Sequence, residues 1–263
     1  MKSIISINKK FFSINPKDLC LIIKNHKYTN GVEIYIDYNK DEEIKYLNDL
    51  VFELKKNNLI LQVHGEIELE LEKQYEFIKK LESYADYLEY PIVVTFHPIY
   101  DDDKKVSINK TVEYLELLFK NINTSKIRVC LENLNDIRGF IRLGKEEIKS
   151  TVLNDEKLYF TYDIGHEISN YGDITNLDGY MFSKIRNVHL HSVSINGIDH
   201  MPIYKEDLNW NKIIKALEFL IINKYKYNIV YEYGLEYCRG DNVLDKLNDY
   251  LLSIDIVSKK YII

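Results

Sequence analysis

The 263-residue chain is poor in cysteine: Cys20, Cys130 and Cys238 are far apart and form no CxxC pair. This spacing argues against a disulfide framework and against a cysteine-rich zinc site. Cys130 reads as a core residue. The chain also lacks a basic excess, with 35 Lys and Arg against 41 Asp and Glu and a formal net charge of -6. It therefore carries no overall electrostatic footprint for nucleic acid or an anionic membrane. No apolar run approaches the ~20 residues needed to span a bilayer. The opening MKSIISINKKFF is too short and too interrupted by polar residues for a signal peptide. A cytoplasmic protein without a membrane partner is expected. No GxGxxG or GxxxxGK[ST] follows any candidate strand, so the punctuation of nucleotide-binding folds is missing. No linker or low-complexity segment divides the chain, and a single domain over residues 1–263 is expected.

What is present is a repeated short apolar run followed by a longer amphipathic stretch. The runs at 3–7, 31–37, 59–65, 91–98, 127–133, 158–166, 185–193 and 228–234 are rich in β-branched and aromatic residues. Their near-continuous hydrophobicity suits strands buried on both faces. Helical spacing of apolar residues covers 41–56, 71–88, 112–119, 208–225 and 243–256, and more loosely 141–153. Eight strands alternating with helices predict an α/β fold with a parallel sheet, a single (β/α)8 TIM barrel.

The polar residues stand out against that apolar pattern. Six of the seven histidines fall at or just beyond an expected strand end: His64, His97, His166, His189, His191 and His200. His26 alone belongs to a helix or its C-terminal turn. Glu132, Asp163 and Glu232 each close an apolar strand, where an unpaired buried charge is costly. In a parallel barrel these ends converge on one mouth. A divalent cation there would offset the mutual repulsion and the desolvation. A mixed His and carboxylate set suits Zn²⁺, Mn²⁺, Fe²⁺ or Co²⁺ better than Ca²⁺. The expected ligands are Glu132, Asp163, His189 and Glu232, with His191 an alternative to His189 because it points the same way along the strand. Asp101, Asp102 and Asp103 read as a solvated loop or helix start. Lys205 and Arg239 are the only loop cations offered for a phosphate, and a solvated surface role suits them better.

The segments LQVHGE, TFHP, CLEN, YDIGH, VHLHS, DHMPI and YEYG, in this order, resemble the xylose isomerase-like barrel superfamily. That superfamily joins sugar isomerases and epimerases with class II apurinic endonucleases. The resemblance implies one divalent metal, Zn²⁺ or Mn²⁺, held by Glu132, Asp163, His189 and Glu232, with His166 helping to hold substrate. It implies that Glu132 and Glu232 are catalytic. One removes the proton α to a carbonyl and the other returns it on the opposite face, while the metal stabilises the enediolate. The expected partner is a small carbohydrate substrate. The endonuclease branch uses more metals, and its extra ligands resemble His64, His97, His166 and His200. Ile198 departs from the Asp of that branch, and Glu132 and Asn133 lead into LNDIRGF instead of a glycine-rich stretch. These departures and the acidic charge favour sugar chemistry, with a multi-metal phosphodiesterase or apurinic endonuclease as the alternative.

Overall fold

The chain is seen in a computed structural model that describes residues 1–67, 70–135, 143–174 and 177–261. The strands are β1 (Lys2–Ile7), β2 (Thr29–Tyr35), β3 (Ile60–Gly65), β4 (Ile92–Phe96), β5 (Ile127–Glu132), β6 (Tyr159–Asp163), β7 (Ile185–Leu190) and β8 (Asn228–Tyr231). They pair in sequence order, every pair parallel, and β1 closes on β8. Around them run α1 (Pro16–Asn25), α2 (Asp41–Asn57), α3 (Leu71–Leu88), α4 (Lys104–Leu118), α5 (Lys145–Asn154), α6 (Ile164–Tyr171), α7 (Gly179–Lys184), α8 (Trp210–Ile222) and α9 (Val243–Tyr261). This is the single (β/α)8 barrel expected from the alternation.

The strands alternate side chains between two environments, and the two differ in chemistry. Val32, Ile34, Leu61, Val63, Val94, Phe96, Val129, Leu131, Phe160, Val188 and Leu190 are buried in the apolar layer shared with the helices. Their sequence neighbours point into the barrel and are mostly polar: Glu33, Gln62, His64, Thr95, Glu132, Thr161, Asp163, Asn187 and His189 are all buried. Hydrogen bonds across the barrel join them, from Thr95 Oγ1 to Thr161 Oγ1 at 2.8 Å and from Asn187 Nδ2 to Glu33 Oε2 at 2.8 Å. Apolar packing outside therefore holds a polar interior in place. Cys130 is wholly buried, and the three cysteines are free thiols.

Several boundaries move from the sequence expectation, for local reasons. The sixth strand was expected over 158–166 but stops at Asp163, whose Oδ1 accepts the backbone N–H of His166 and caps α6. His166 thus lies in the first turn of a helix. The seventh strand ends at Leu190 and the fourth at Phe96, so His191 and His97 stand just past their strands. The fourth helix was expected over 112–119 and starts earlier, because Asp103 accepts the N–H groups of Lys105 and Val106. That makes Asp103 a cap, with Asp101 and Asp102 in the loop before it. The loosely placed helix at 141–153 corresponds to α5, and residues 141–142 lie outside the described residues. The short helices α6 and α7 follow β6 without a long amphipathic period to announce them. Among the described residues no helix is long and apolar enough to cross a membrane.

Gly31 marks the closest approach in the sheet: a Cβ added there would lie 2.2 Å from the Ile60 backbone oxygen. Backbone on both sides cannot move aside. Gly31→Ala should therefore destabilise the protein by at least the ~1–3 kcal/mol typical of overpacking, read from urea unfolding. Gly65→Ala is the control, since its Cβ would meet the Ile36 oxygen at an ordinary 3.6 Å, and it should cost distinctly less.

Candidate metal centre

The mouth at the C-terminal strand ends gathers every histidine except His26, which pairs with Asp255 at 3.0 Å on the far helices. At the centre stands His189, wholly buried. Its Nδ1 lies 2.8 Å from Glu232 Oε2, 3.0 Å from Glu132 Oε1 and 3.8 Å from Asp163 Oδ2. The four residues expected as ligands are thus brought together around one ring nitrogen. One donor atom each from His64, Glu132, His189 and Glu232 lie within 4.8 Å of one another, as do atoms of Glu132, Asp163 and His166.

The remaining histidines surround this centre. His64 Nε2 is 3.1 Å from Glu132 Oε2 and 3.8 Å from Glu232 Oε1. His97 Nε2 is 3.4 Å from Glu132 Oε2, while its Nδ1 meets Glu66 at 2.8 Å. A second group forms beside Asp163. There His166, His191 and His200 have ligand atoms within 4.8 Å of one another, and the rings of His191 and His200 stack at 4.4 Å. His191 Nε2 faces Asp163 Oδ1 at 3.2 Å. Distance separates the two histidines left open for the first centre: His189 faces the two glutamates, and His191 belongs to the second group. An antiparallel bridge between Ser192 and Met201 folds the loop back, and the His200 N–H then donates to His191 Nδ1.

Burial by itself would raise the carboxylate pKa values and lower those of the imidazoles. The contacts outweigh it here. His189 and its neighbours hold Glu132 and Glu232 well below the ordinary carboxylate value, and the surrounding carboxylates hold His189 well above the ordinary imidazole value. Burial also opposes charge on His97, yet Glu132 and Glu66, one on each ring nitrogen, push its pKa up to about 10. Burial dominates at His166 and lowers its pKa. The mouth therefore holds ionised carboxylates out of water.

Several buried polar atoms of this cluster have no hydrogen-bond partner among the described residues: Glu132 Oε2, Asp163 Oδ2, Glu232 Oε2, His64 Nδ1 and His191 Nε2. Buried polar atoms are normally satisfied. Carboxylate oxygens of Glu132, Asp163 and Glu232 left without partners beside an imidazole fit a divalent cation, and Glu132, Asp163, His189 and Glu232 would hold it.

Sequence reasoning missed the groups that orient these side chains. Asn133 clamps strand ends: its Oδ1 accepts the Asp163 N–H at 2.8 Å and its Nδ2 donates to the Asp163 oxygen at 2.9 Å. Glu66 and Asp199, both in loops, were given no role. Glu33 carried the same signal as Glu132, a carboxylate within an apolar strand, and sits wholly buried 2.9 Å from His189 Nε2. Lys205 and Arg239 are exposed, and the Arg239 guanidinium lies over the Tyr204 ring. Beside the centre opens a cavity of about 410 Å³, lined by Tyr35, Tyr38, Asn39, Lys40 and Glu66 among others. Its Lys40 pairs with Asp37 at 2.6 Å, and its Lys10 with Glu236 at 2.6 Å.

The comparisons with known proteins agree with this architecture. The family model described as xylose isomerase-like TIM barrel matches residues 29–234. The chain belongs to that family. No curated protein is significantly similar to it. Among solved structures it is similar to D-psicose 3-epimerase with D-tagatose from Clostridium cellulolyticum H10, at 16% identity and a TM-score of 0.68, covering 99% of both chains. It is similar to 3-keto-D-glucoside 4-epimerase from E. coli, at 14% identity and 0.70, covering 98% of this chain and 99% of that one. It is also similar to an AP endonuclease, family 2, from Brucella melitensis, at 18% identity and 0.64, covering 93% and 96%. At these identities the likeness is one of fold.

The glycine of the DIGH element has a physical reason. A Cβ on Gly165 would lie 2.1–2.4 Å from three atoms of the His191 ring. Gly165→Ala should therefore shift the ring resonances of His191 and its stacked partner His200 in ¹⁵N-edited NMR, while leaving those of His64 in place.

Proposed function

We propose that this chain is a divalent-metal-dependent sugar isomerase or epimerase that moves a proton α to a carbonyl. The observation that carries this reading is the convergence of Glu132 and Glu232 on His189 Nδ1, at 3.0 and 2.8 Å. The two carboxylates come from β5 and from just beyond β8, strands separated by β6 and β7, so they approach one point from different sides. That is the arrangement a two-base proton transfer needs. A divalent cation at that point supplies the positive charge that stabilises the developing oxyanion. One glutamate takes the α-proton and the other returns one on the opposite face of the carbon, each contributing about 10²–10⁴-fold. His166 and His64 border the same space and would orient hydroxyl groups. The adjoining cavity suits a small polyol, since two of its lysines, Lys10 and Lys40, are already paired with carboxylates. The sugar epimerases among the similar structures support a carbohydrate ligand, one of them being described with D-tagatose.

A second reading has its own observation. The two oxygens of Glu132 face different nitrogen groups, Oε1 toward His189 and Oε2 toward His64 and His97. A carboxylate so placed is disposed to bridge two cations. With the histidine group at His166, His191 and His200, this favours a multi-metal phosphoester hydrolase such as an apurinic endonuclease.

Glu132→Gln and Glu232→Gln should each remove most turnover, since an amide cannot accept the proton, while weakening metal binding only partly. Asp163→Ala should abolish metal retention together with activity. The deciding experiment incubates metal-loaded protein with candidate ketoses in D₂O and follows the α-proton by NMR, alongside elemental analysis of bound metal. Exchange with inversion and one metal per chain support the epimerase. Metal-dependent nicking of an abasic-site oligonucleotide, no exchange and two or three metals would replace it with the hydrolase.

A further inference from the structure

The barrel interior beneath the metal centre holds one carboxylate that neither reading uses. Glu33 lies on β2 with no solvent exposure. A lone buried carboxylate is expensive, so its surroundings decide what it is for. Glu33 Oε2 accepts Asn187 Nδ2 at 2.8 Å. Glu33 Oε1 has no hydrogen-bond partner among the described residues, and it stands at ion-pair distance, 2.9 Å, from His189 Nε2. Asn187 Nδ2 also lies 3.1 Å from that nitrogen, but its two protons have acceptors in Glu33 Oε2 and Thr95 Oγ1, the latter at 3.2 Å. With those two protons so placed, Nε2 is free to carry its own proton toward Glu33 Oε1.

We propose that Glu33 is the positioning residue of the metal centre: it holds the His189 proton on Nε2 and so presents Nδ1, unprotonated, to a divalent cation. The two ring nitrogens are distinct, and a hydrogen bond at one decides which lone pair the other offers. A carboxylate in that role also makes the ring a stronger donor. The geometry divides the labour. On the mouth side Nδ1 faces Glu132 and Glu232, and on the inner side Nε2 faces Glu33. Asn187 and the Thr95–Thr161 pair tie the inner carboxylate to β4, β6 and β7, so the ring's direction is set by the barrel and not by a loop. The inference rests on His189 being a metal ligand.

The test is a metal-buffered Zn²⁺ titration of chelated wild type, Glu33→Gln, Glu33→Ala and His189→Ala, with apo melting temperatures and ¹⁵N-edited NMR of the Zn²⁺-loaded proteins. His189→Ala should lose the site's affinity. Glu33→Gln should bind about 10–100-fold more weakly, as loss of such an outer partner does, while its apo melting temperature does not fall. A purely structural role would move the melting temperature and leave affinity alone. Wild type should show an exchange-protected Nε2–H resonance of His189, and it should disappear in Glu33→Ala. If Glu33→Ala does not fold, Glu33→Gln, which keeps shape and removes charge, carries the test. Affinity of Glu33→Gln within about twofold of wild type, when His189→Ala has lost it, overturns the proposal alone. Wild-type affinity in His189→Ala overturns the ligand reading and the proposal with it.

Discussion

Three buried carboxylates around one imidazole are the constraint on which the rest of the site depends. Glu132, Asp163 and Glu232 approach His189 Nδ1 within 3.8 Å or less. Two like charges about 4 Å apart repel by about 4 kcal/mol at an effective dielectric near 20, and desolvation of each ion costs on the order of several kcal/mol more. The His189 ring alone cannot offset the charge gathered around its one nitrogen. The barrel nevertheless holds them there, because each is attached to a strand whose other face is locked into the apolar layer beneath the helices. A divalent cation held there would add positive charge without changing the scaffold.

The supporting contacts follow from that need. Asn133 joins the ends of β5 and β6, Asp163 caps the helix that carries His166, and the Ser192–Met201 bridge returns His200 to the mouth. Each device sets the direction of one donor and leaves a lone pair aimed inward. Glu33 does the same from below, through the far nitrogen of His189. The cluster is therefore held in place by hydrogen bonds from around it as well as within it.

The barrel could be read from the sequence because its strands are apolar runs and its longer helices keep a 3.6-residue period. The polar cluster at the mouth was legible for a related reason. A carboxylate or imidazole closing a Val- and Ile-rich run contradicts the run's burial, and Glu132, Asp163, His189 and Glu232 all do so. What stayed hidden has physical causes. The sixth strand was read too long because Ile164 and Gly165 continue its apolar character while the backbone already turns into α6 under the Asp163 cap. His189 and His191 could not be told apart by period, since residues two apart in a strand point the same way, and only the distances to Glu232 and Asp163 separate them. Glu33 lay one strand before any expected site residue and was passed over. Glu66 and Asp199 belong to loops, whose course no periodicity predicts.

The central claim is that a divalent cation sits among Glu132, Asp163, His189 and Glu232. Anomalous diffraction at the Mn or Zn edge from crystals of the metal-loaded protein tests it most directly. The account predicts a peak about 2.0–2.3 Å from an oxygen or nitrogen of each of the four, with His189 contributing Nδ1. A peak elsewhere in the mouth, with this position filled only by water or by the protonated His189 ring, would contradict it.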